Sequence, residues 1–237
     1  MIDDDEEEYC KVVLLGESGV GKTSIITRFI NGTFENHLLS TNGASYVSKN
    51  LDFPEYDNKI IKFEVWDTAG QEQYRSLNKI FYKDASICIL VYDITSLISF
   101  NSLKDYWYKE ILDSAPKNII LGLAANKSDL DDKEVVQEEK AREFAKEINA
   151  VFMYTSASRS FGIDQLFHYV GCKYIDPNFV VDETKSNDIK NNLKENMQNN
   201  DKDKDNKANN SKKNKKNKIK LDEKKHKQSG QKKKKCC

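Results

Sequence analysis

The 237 residues of the chain carry 38 basic and 38 acidic side chains, so the formal net charge is zero, and 38% of the residues are hydrophobic. This length is enough for one α/β domain with additional sequence, and the longest apolar run, 87–91, is much too short for a membrane-spanning helix. Because the chain starts with acidic residues and has Ile2 after the first methionine, we expect neither a secretory signal nor N-myristoylation.

The zero net charge conceals two ends of opposite sign. Residues 3–8 are six consecutive acids, whereas residues 211–237 carry 13 lysines against Asp222 and Glu223, a net charge of +11. The remaining residues, 1–210, therefore carry a net charge of −11. Runs of one sign are usually solvated tails.

Composition also predicts where the folded domain lies. Residues 187–217 contain 11 asparagines and few apolar side chains, so they cannot bury enough apolar surface to offset the entropy lost on ordering. We expect an acidic disordered segment at 1–8, a folded domain at 9–175 and a disordered tail at 176–237. The five cysteines, an odd number, favour a reducing compartment.

Strand and helix patterns alternate along the predicted domain. Strands are predicted at 9–15, 44–51, 60–67, 85–93, 119–126 and 151–155, and helices at 24–31, 73–81, 100–114, 137–148 and 164–174. The turn-rich stretch 52–58 should join the second and third strands in a hairpin, and Cys10 and Cys88 should be small core residues. The alternation predicts an α/β fold of three layers, with a mostly parallel six-stranded sheet and helices on both faces. Ligands of such a sheet bind at the carboxyl ends of its strands.

A phosphate-binding loop follows the first predicted strand. It consists of Gly16, Glu17, Ser18, Gly19, Val20, Gly21, Lys22 and Thr23. Its glycines allow consecutive N–H groups to face one concavity, which suits a chain of phosphates at the start of a helix. Lys22 should reach the β- and γ-phosphates, and the Thr23 hydroxyl should be a ligand of Mg²⁺. The strand–loop–helix setting disfavours the alternative, a glycine-rich turn that matches by chance.

A second motif, Asp-Thr-Ala-Gly-Gln at 67–71, follows the third predicted strand. Asp67 is placed to hold Mg²⁺ through water, and the Gly70 N–H is placed to bond a γ-phosphate. Gln71 can both donate and accept a hydrogen bond, which suits a residue that orients an attacking water. The alternative is a turn in which the aspartate caps a helix, and the upstream phosphate loop disfavours it.

A third motif, Asn-Lys-Ser-Asp at 126–129, predicts a guanine site. A carboxylate at Asp129 accepts from both N1–H and the exocyclic amine of guanine, and it would stay unpaired beside adenine. The Asn126 amide could bond the base edge and tie down the loop, and the Lys127 stem could cover one face of the base. Residues Thr155, Ser156 and Ala157, at the end of the last predicted strand, could offer backbone N–H groups to the guanine carbonyl oxygen.

Two residues between the first and second motifs complete the predicted site. Thr41 lies 18 residues after Thr23, and its hydroxyl could join the Mg²⁺ shell when a γ-phosphate is present. Phe34 could stack on the guanine edge. The residues alone leave two alternatives open, a threonine of a turn and an aromatic anchor of a loop.

Together these motifs resemble the Ras superfamily of small GTPases over residues 9–175. Within this superfamily the chain resembles the Rab branch, and the residues that carry this finer resemblance are 66–72, 74–77, 81–82 and 92–95. Residues 43–46 and the Gly-Glu-Ser opening of the phosphate loop are similar to the early-endosomal Rabs. The resemblance implies the P-loop GTPase fold, GTP or GDP with Mg²⁺ as bound groups, and Ser24 and Leu130 as further nucleotide contacts.

The Rab resemblance also implies how the protein would signal. Two switch segments, roughly 34–46 and 69–82, would be ordered by the γ-phosphate and released after hydrolysis. An aromatic effector surface would consist of Tyr46, Trp66 and Phe81, although Rabs usually have Phe at the first position and often Tyr at the third. The hairpin at 52–58 is longer than usual. Implied partners are an exchange factor, a GTPase-activating protein, a GDP-dissociation inhibitor or escort protein, and effectors, and we expect a monomer.

The last two residues, Cys236 and Cys237, match the ending on which Rabs are geranylgeranylated. Two lipid chains give stable anchoring where one gives only marginal binding, and each nearby lysine adds about 1 kcal/mol of attraction to anionic lipid. We therefore expect the cytoplasmic face of an endomembrane, the early endosome, with cycling to the cytosol. The alternative is a solvated tract or nucleic-acid arm, and no aromatic residue after Phe179 supplies a stacking platform.

Three other functions compete with a GTP-hydrolysing switch of vesicle transport. A P-loop ATPase or kinase would have no use for the carboxylate at Asp129. A scaffold with permanently bound nucleotide would not require Gln71 or Thr41. A nucleic-acid binder would depend on the lysine tail alone, so we expect no nucleic-acid partner.

Overall fold

The structure is a computed structural model that describes residues 8–35, 41, 44–68 and 82–181. None of the described helices is long and apolar enough to cross a membrane. Several predictions lie outside the described residues: the acidic run 3–7, Gly70, Gln71, the helix at 73–81, Phe81, and Cys236 with Cys237.

The described residues form one sheet of six strands, as the apolar runs predict. The strands are β1 Glu8–Leu15, β2 Ala44–Phe53, β3 Lys59–Thr68, β4 Ile87–Asp93, β5 Ile120–Asn126 and β6 Val151–Tyr154. Their order is β2-β3-β1-β4-β5-β6, with β2 antiparallel to β3 and the other pairs parallel. The prediction of a mostly parallel sheet in an α/β fold is confirmed. The hairpin is also confirmed, but its strands run further than predicted, because Phe53 still pairs with Lys59.

Five α-helices and two shorter helical segments connect the described strands. They are α1 Lys22–Asn31, α2 Leu97–Ser102, a π-helical segment Leu103–Trp107, α3 Tyr108–Ser114, a 3₁₀ segment Ser128–Lys133, α4 Glu138–Glu147 and α5 Ile163–Ile175. The prediction that the third helix starts at residue 100 is wrong. Ser96 is the N-cap, and its hydroxyl accepts from the Ser99 N–H at 3.3 Å, so the helix starts at Leu97.

Two apolar clusters, one on each face of the sheet, form the core. Along β1 the side chains alternate between them, as a two-residue repeat requires: Cys10, Val12 and Leu14 join one cluster, and Val13 and Leu15 join the other. Helices α1 and α5 cover the first cluster, while α2, the π-helical segment, α3 and α4 cover the second. Both predicted core cysteines, the second of them Cys88, are fully buried.

The folded part continues beyond the predicted boundary at residue 175. The Phe179 ring lies 6.0 Å from the Tyr169 ring on α5. Phe179 and Val181 are partly buried against the α1–α5 side of the core. The apolar side chains at these two positions hold this stretch of the chain against the domain.

Candidate nucleotide-binding site

The predicted site residues converge on the carboxyl edge of the sheet. The loop at 16–21 leaves the end of β1, whose neighbours are β3 on one side and β4 on the other. Asp67 stands near the end of β3, and Asn126 is the last residue of β5. Parallel strands flanking β1 on both sides open a crevice at this edge, where α/β proteins bind their ligands.

Two glycines of the phosphate loop are required by close backbone approaches. Gly16 has φ +150°, and a Cβ there would lie 2.2 Å from the Val91 carbonyl oxygen. Gly21 has φ +99°, and a Cβ there would lie 2.4 Å from the Asn126 amide nitrogen. Any larger residue would collide with a neighbouring strand end or its side chain, so these positions hold the loop tightly over β4 and β5.

Lys22 curls back into the loop that precedes it. Its Nζ donates to the Gly16 carbonyl at 2.8 Å and to the Glu17 carbonyl at 3.0 Å, and the residue is 5% exposed. Burial lowers the pKa of Lys22 to about 8, against the opposing effect of the Asp67 and Glu17 charges. A buried cation held by two carbonyls, at a helix start without a side-chain cap, is well placed for an anionic ligand.

A cluster of oxygen atoms lies beside Lys22. The Thr23 hydroxyl lies 2.7 Å from the Thr41 hydroxyl and donates to Asp67 Oδ2 at 2.7 Å, and the Thr41 hydroxyl donates to the same oxygen at 3.3 Å. The structure therefore brings together three residues that are far apart in sequence, of which Thr23 and Thr41 were predicted as Mg²⁺ ligands and Asp67 as a residue that holds the ion through water.

The burial, hydrogen bonding and pKa of Asp67 show whether this cluster of oxygens suits a cation. The carboxylate is buried, and its Oδ1 makes no hydrogen bond to any described residue. Burial raises the pKa of Asp67, while hydrogen bonds from Thr23 and the nearby Lys22 charge act to lower it. Hydroxyl and carboxylate oxygens with one unsatisfied, desolvated acceptor fit a hard divalent cation such as Mg²⁺. We call residues 16–23 together with Thr41 and Asp67 the phosphate half of the site.

On the other side of the edge, the third motif is held by side-chain hydrogen bonds. The Asn126 amide donates to the Val20 carbonyl at 2.7 Å, and its oxygen accepts from the Thr155 hydroxyl at 3.1 Å. Asp129 accepts from the Ser156 hydroxyl at 2.6 Å. We call residues 126–129 together with 155–157 the base half. Asn126 thus ties the two halves together, as predicted for its loop role, and its contact with a base edge stays a prediction.

The prediction that several N–H groups of the base half face guanine is too broad. The Thr155 N–H donates to the Ala125 carbonyl at 2.9 Å, which extends the β5–β6 pairing, and the Ser156 N–H donates to the Phe161 carbonyl at 2.9 Å. These two donors are already used within the protein. The Ala157 N–H is the remaining candidate from this segment for a guanine carbonyl oxygen.

Comparison with known proteins identifies the family. A family model described as the Ras family matches residues 11–175. Over 157 residues the chain is 43% identical to Ras-related protein Rab-22A of Homo sapiens and to that of Canis lupus familiaris, covering 66% of this chain and 79% of each relative. It is 41% identical over the same length to Ras-related protein Rab-31 of Mus musculus, covering 66% and 78%.

The chain belongs to the Ras family. Its similarity to Rab-22A and Rab-31 places it in the Rab branch, so it is a small GTPase, an enzyme that binds guanine nucleotides and hydrolyses GTP. The P-loop GTPase fold and the Rab resemblance drawn from the motifs are thereby confirmed.

In this small GTPase, Lys127 has a partner that sequence reasoning missed. Lys127 adopts a left-handed backbone conformation, with φ 63°, and its Nζ lies 2.7 Å from Asp93 Oδ2. Burial acts to raise the pKa of Asp93, but hydrogen bonds from Lys127 and Thr95 outweigh it and leave the pKa lowered. Asp93 lies at the end of an apolar strand, a position at which acids often serve a ligand site, and that signal could have found it. The following Leu130 is half-buried in the 3₁₀ segment.

Glu17 has a structural role beyond its place in the phosphate loop. Its Oε1 accepts from the Trp107 indole N–H at 3.2 Å and from the Ser102 hydroxyl. Trp107 lies in the π-helical segment and Ser102 ends α2. Single-turn π-helices are frequent at functional sites, and this one carries the Trp107 donor that contacts the loop. No pattern in the sequence marks the pairing.

The described part of the predicted effector surface consists of two aromatic side chains, an exposed Tyr46 and a half-buried Trp66. Tyr46 on β2 is 47% exposed and lies 5.3 Å, between ring centroids, from Trp66 on β3. The Tyr46 hydroxyl donates to Glu64 at 3.0 Å. Phe34, predicted to stack on guanine, is half-buried against the α1–α5 side of the core, so its described contacts are those of the loop-anchor alternative.

Proposed function

We propose that the protein is a GDP/GTP switch of endocytic vesicle transport, in which the phosphate half and the base half bind the two ends of one guanine nucleotide. The observation that carries this proposal is the Asn126–Val20 hydrogen bond of 2.7 Å. It fixes the guanine-selecting loop against the phosphate loop, so a single ligand can bridge Lys22 and Asp129.

In the phosphate half, each residue has a separate task. The Lys22 ammonium, now bonded to two loop carbonyls, pairs with the β- and γ-phosphate oxygens. Thr23 and Thr41 supply hydroxyl ligands to Mg²⁺, and Asp67 acts on the ion through water. Bound Mg²⁺ would neutralise the charge that develops on the transferred phosphoryl group.

Hydrolysis itself is assigned to Gln71. Its amide orients the attacking water, while the Gly70 N–H bonds the γ-phosphate and so couples the phosphate to the second switch. Both residues lie outside the described part of the chain, and the assignment depends on the motif that continues from Asp67 at the end of β3. We expect slow intrinsic turnover that an activating protein raises by about 10³–10⁵-fold.

In the base half, Asp129 selects guanine. The Ser156 hydroxyl, which donates to Asp129 Oδ1 at 2.6 Å, fixes the position of the carboxylate, whose oxygens then accept from N1–H and the exocyclic amine of guanine. The Lys127 stem covers one face of the base, while its ammonium is fixed by Asp93. Adenine would leave the Asp129 carboxylate unpaired, so the ATPase or kinase alternative is disfavoured.

The place of action is proposed to be the cytoplasmic face of the early endosome. The support consists of residues 43–46, the Gly-Glu-Ser opening of the loop and the similarity to Rab-22A and Rab-31. Two prenyl groups on Cys236 and Cys237, helped by the lysine-rich end, would anchor the protein. Its cycle between membrane and cytosol would be controlled by an exchange factor, an activating protein, and a GDP-dissociation inhibitor or escort protein. Effectors would bind at Tyr46, Trp66 and Phe81.

The enzymatic part of the proposal is tested on the purified full chain. Bound nucleotide is identified by chromatography, and single-turnover GTP hydrolysis is followed for wild type and Gln71→Leu with excess ATP present. We expect co-purified guanine nucleotide, GTP hydrolysis that ATP does not inhibit, and at least a tenfold lower rate in Gln71→Leu at unchanged GTP affinity, about the scale of a water-positioning residue. Displacement of the nucleotide by ATP would contradict the proposal.

The location is tested by imaging the tagged protein beside an early-endosome marker. The control is a Cys236→Ser/Cys237→Ser form, which keeps the lysines but loses both lipid sites. Co-localisation that the control loses supports the proposal. Binding to another organelle contradicts the endosomal assignment, and an unchanged location of the control contradicts the lipid anchor.

A further inference from the structure

Three potential metal ligands meet on the side of the molecule formed by the hairpin tip and α5. Glu55 comes from the hairpin connection, and His168 and Cys172 come from α5. His168 Nε2 lies 2.7 Å from Glu55 Oε1, and the Cys172 thiol donates to the same oxygen at 3.2 Å. One ligand atom from each residue lies within 4.8 Å of the other two.

The hairpin connection is shaped so that Glu55 reaches the helix. The Tyr56 N–H donates to the Phe53 carbonyl at 3.0 Å, closing a turn with Pro54 and Glu55 at its centre. A second turn, closed by the Lys59 N–H and the Tyr56 carbonyl at 3.0 Å, then returns the chain to β3. The lengthened connection, which the switch function does not explain, thus places the Glu55 carboxylate beside α5.

The hairpin packs against helix α5 at Gly171. A Cβ on Gly171 would lie 2.3 Å from the tip of the Phe53 ring, so only glycine lets the ring pack this close. The same ring is stacked on His168, with centroids 5.2 Å apart and planes 15° from parallel. Phe53 is fully buried. The apolar contact therefore fixes both the His168 ring and the start of the turn that carries Glu55.

The positions on α5 bring the other two ligands together. His168 and Cys172 are four residues apart, so they lie one turn apart on the same helix face. Cys172 is 1% exposed, whereas the side chains of His168 and Glu55 are 35% and 41% exposed. The cluster therefore has a buried sulfur at its base and an open side towards solvent, from which an ion can enter.

We propose that Glu55, His168 and Cys172 bind one Zn²⁺ ion, with water as the fourth ligand. Carboxylate, imidazole and thiolate are the three side-chain ligands that zinc uses, with bonds of about 2.0–2.3 Å in a tetrahedral arrangement. The present separations need shifts of only about 1 Å to suit that geometry. On binding, the Cys172 S–H bond breaks, the sulfur electron pair forms the Zn–S bond, and the proton passes to buffer.

The ion would act as a clip between the hairpin and α5. It binds the folded arrangement, in which residues 55, 168 and 172 are adjacent, and not the unfolded chain, so it stabilises the fold. The clip lies on the hairpin that carries Tyr46 and Trp66, outside the nucleotide site. Its presence or absence is therefore independent of the switch function proposed above.

The test is a Zn²⁺ titration of the full chain by calorimetry, with GDP bound and a large excess of Mg²⁺. All proteins carry Cys236→Ser, Cys237→Ser and His226→Gln, so that residues of the tail cannot supply ligands. In this background we compare the parent with Glu55→Gln, His168→Gln and Cys172→Ala. The matched controls are Glu139→Gln, an exposed acid on α4, and His37→Gln.

We expect one Zn²⁺ per parent chain, a higher thermal midpoint with Zn²⁺, and affinity losses of at least about tenfold in each of the three ligand variants. The controls should bind as the parent does. Co²⁺ in place of Zn²⁺ should give a thiolate-to-metal absorption band that Cys172→Ala lacks. Glu55→Gln changes an exposed residue and retains folding, which retained GDP verifies. No binding by the parent, or equal binding by all three ligand variants, would overturn the proposal.

Discussion

The phosphate half and the base half of the site are built in different ways. The phosphate half depends on backbone geometry and on groups that lack their final partners, since Lys22 is bonded to loop carbonyls and Asp67 keeps a buried oxygen without a described partner. In the base half, Asn126, Thr155, Asp129 and Ser156 hydrogen bond one another or the neighbouring loop. The phosphate half therefore has polar groups left for a charged ligand, whereas the side chains of the base half already hydrogen bond within the protein.

This difference indicates how the protein divides its tasks. A preassembled base half selects the ligand without reorganisation, which favours specificity. A phosphate half with a buried cation and a desolvated carboxylate is stabilised most when phosphate and Mg²⁺ bind. The free energy of ligand binding is therefore released mainly in the half that contacts the γ-phosphate. Changes in the two halves should therefore have different consequences.

The largest effect is expected where the halves touch. Gly21→Ala places a Cβ 2.4 Å from the Asn126 amide nitrogen at φ +99°, so it strains the loop and displaces the hydrogen bond between the halves. We expect loss of co-purified nucleotide and a free energy of unfolding lower by about 3 kcal/mol, from strain plus the lost bond. Chromatography and thermal unfolding measure these.

The matched control is Gly19→Ala. Gly19 also has positive φ, +77°, but a Cβ there meets no described atom within 4 Å. It should cost about 1 kcal/mol from backbone strain alone. If both variants lost equal stability and nucleotide, the contact between the halves would not be responsible.

A smaller effect is expected from removing one oxygen of the phosphate half. Thr23→Ala deletes the hydroxyl that lies 2.7 Å from Thr41 and from Asp67. We expect Mg²⁺ to be held at least about tenfold more weakly, and GDP release to become much less sensitive to chelation by EDTA. Release of a fluorescent GDP analogue across Mg²⁺ concentrations measures this, with Thr27→Ala on the same helix as control. A Thr23→Ala protein with the Mg²⁺ dependence of wild type would refute the assignment.

Glu17 is an exception to this difference between the halves. It belongs to the phosphate half, but its carboxylate already accepts a hydrogen bond from Trp107. We expect a coupling energy of about 1 kcal/mol between Trp107→Phe, which lacks the donor, and Glu17→Met, which lacks the acceptor, in a double-mutant cycle of chemical unfolding. The cycle separates the hydrogen bond from the volume lost with the indole. Additive effects, within about 0.5 kcal/mol, would mean that the bond does not stabilise the loop.

The smallest effect is expected within the base half. Thr155→Val keeps the shape of the buried side chain but removes the hydroxyl that donates to Asn126. The free energy of unfolding should fall by about 1 kcal/mol, while guanine nucleotide stays bound. Thr155→Ser, which keeps the hydroxyl, is the control. Loss of nucleotide in Thr155→Val alone would show that the base half is less self-sufficient than described.

The sequence predicted most of the sheet and the place of the site, because apolar runs and glycine spacing are local signals. The ends of β1, β3 and β5 carry the three motifs, and parallel topology brings them together. The π-helical segment and its bond to Glu17 could not be predicted, since Trp107 reads as an ordinary core residue of a helix. The Ser156 N–H was misassigned because its pairing with Phe161 depends on a turn that leaves no clear pattern.

The central claim, that one assembled half selects guanine, is tested most directly by nucleotide competition on Asp129→Asn. Xanthine has a carbonyl where guanine has an amine, so an amide at this position should accept from N1–H and donate to that carbonyl. We predict that GTP affinity falls by about 10²-fold or more while XTP affinity rises, and that Ser156→Ala, which keeps the carboxylate, still prefers GTP. An unchanged preference for GTP in Asp129→Asn would contradict the account.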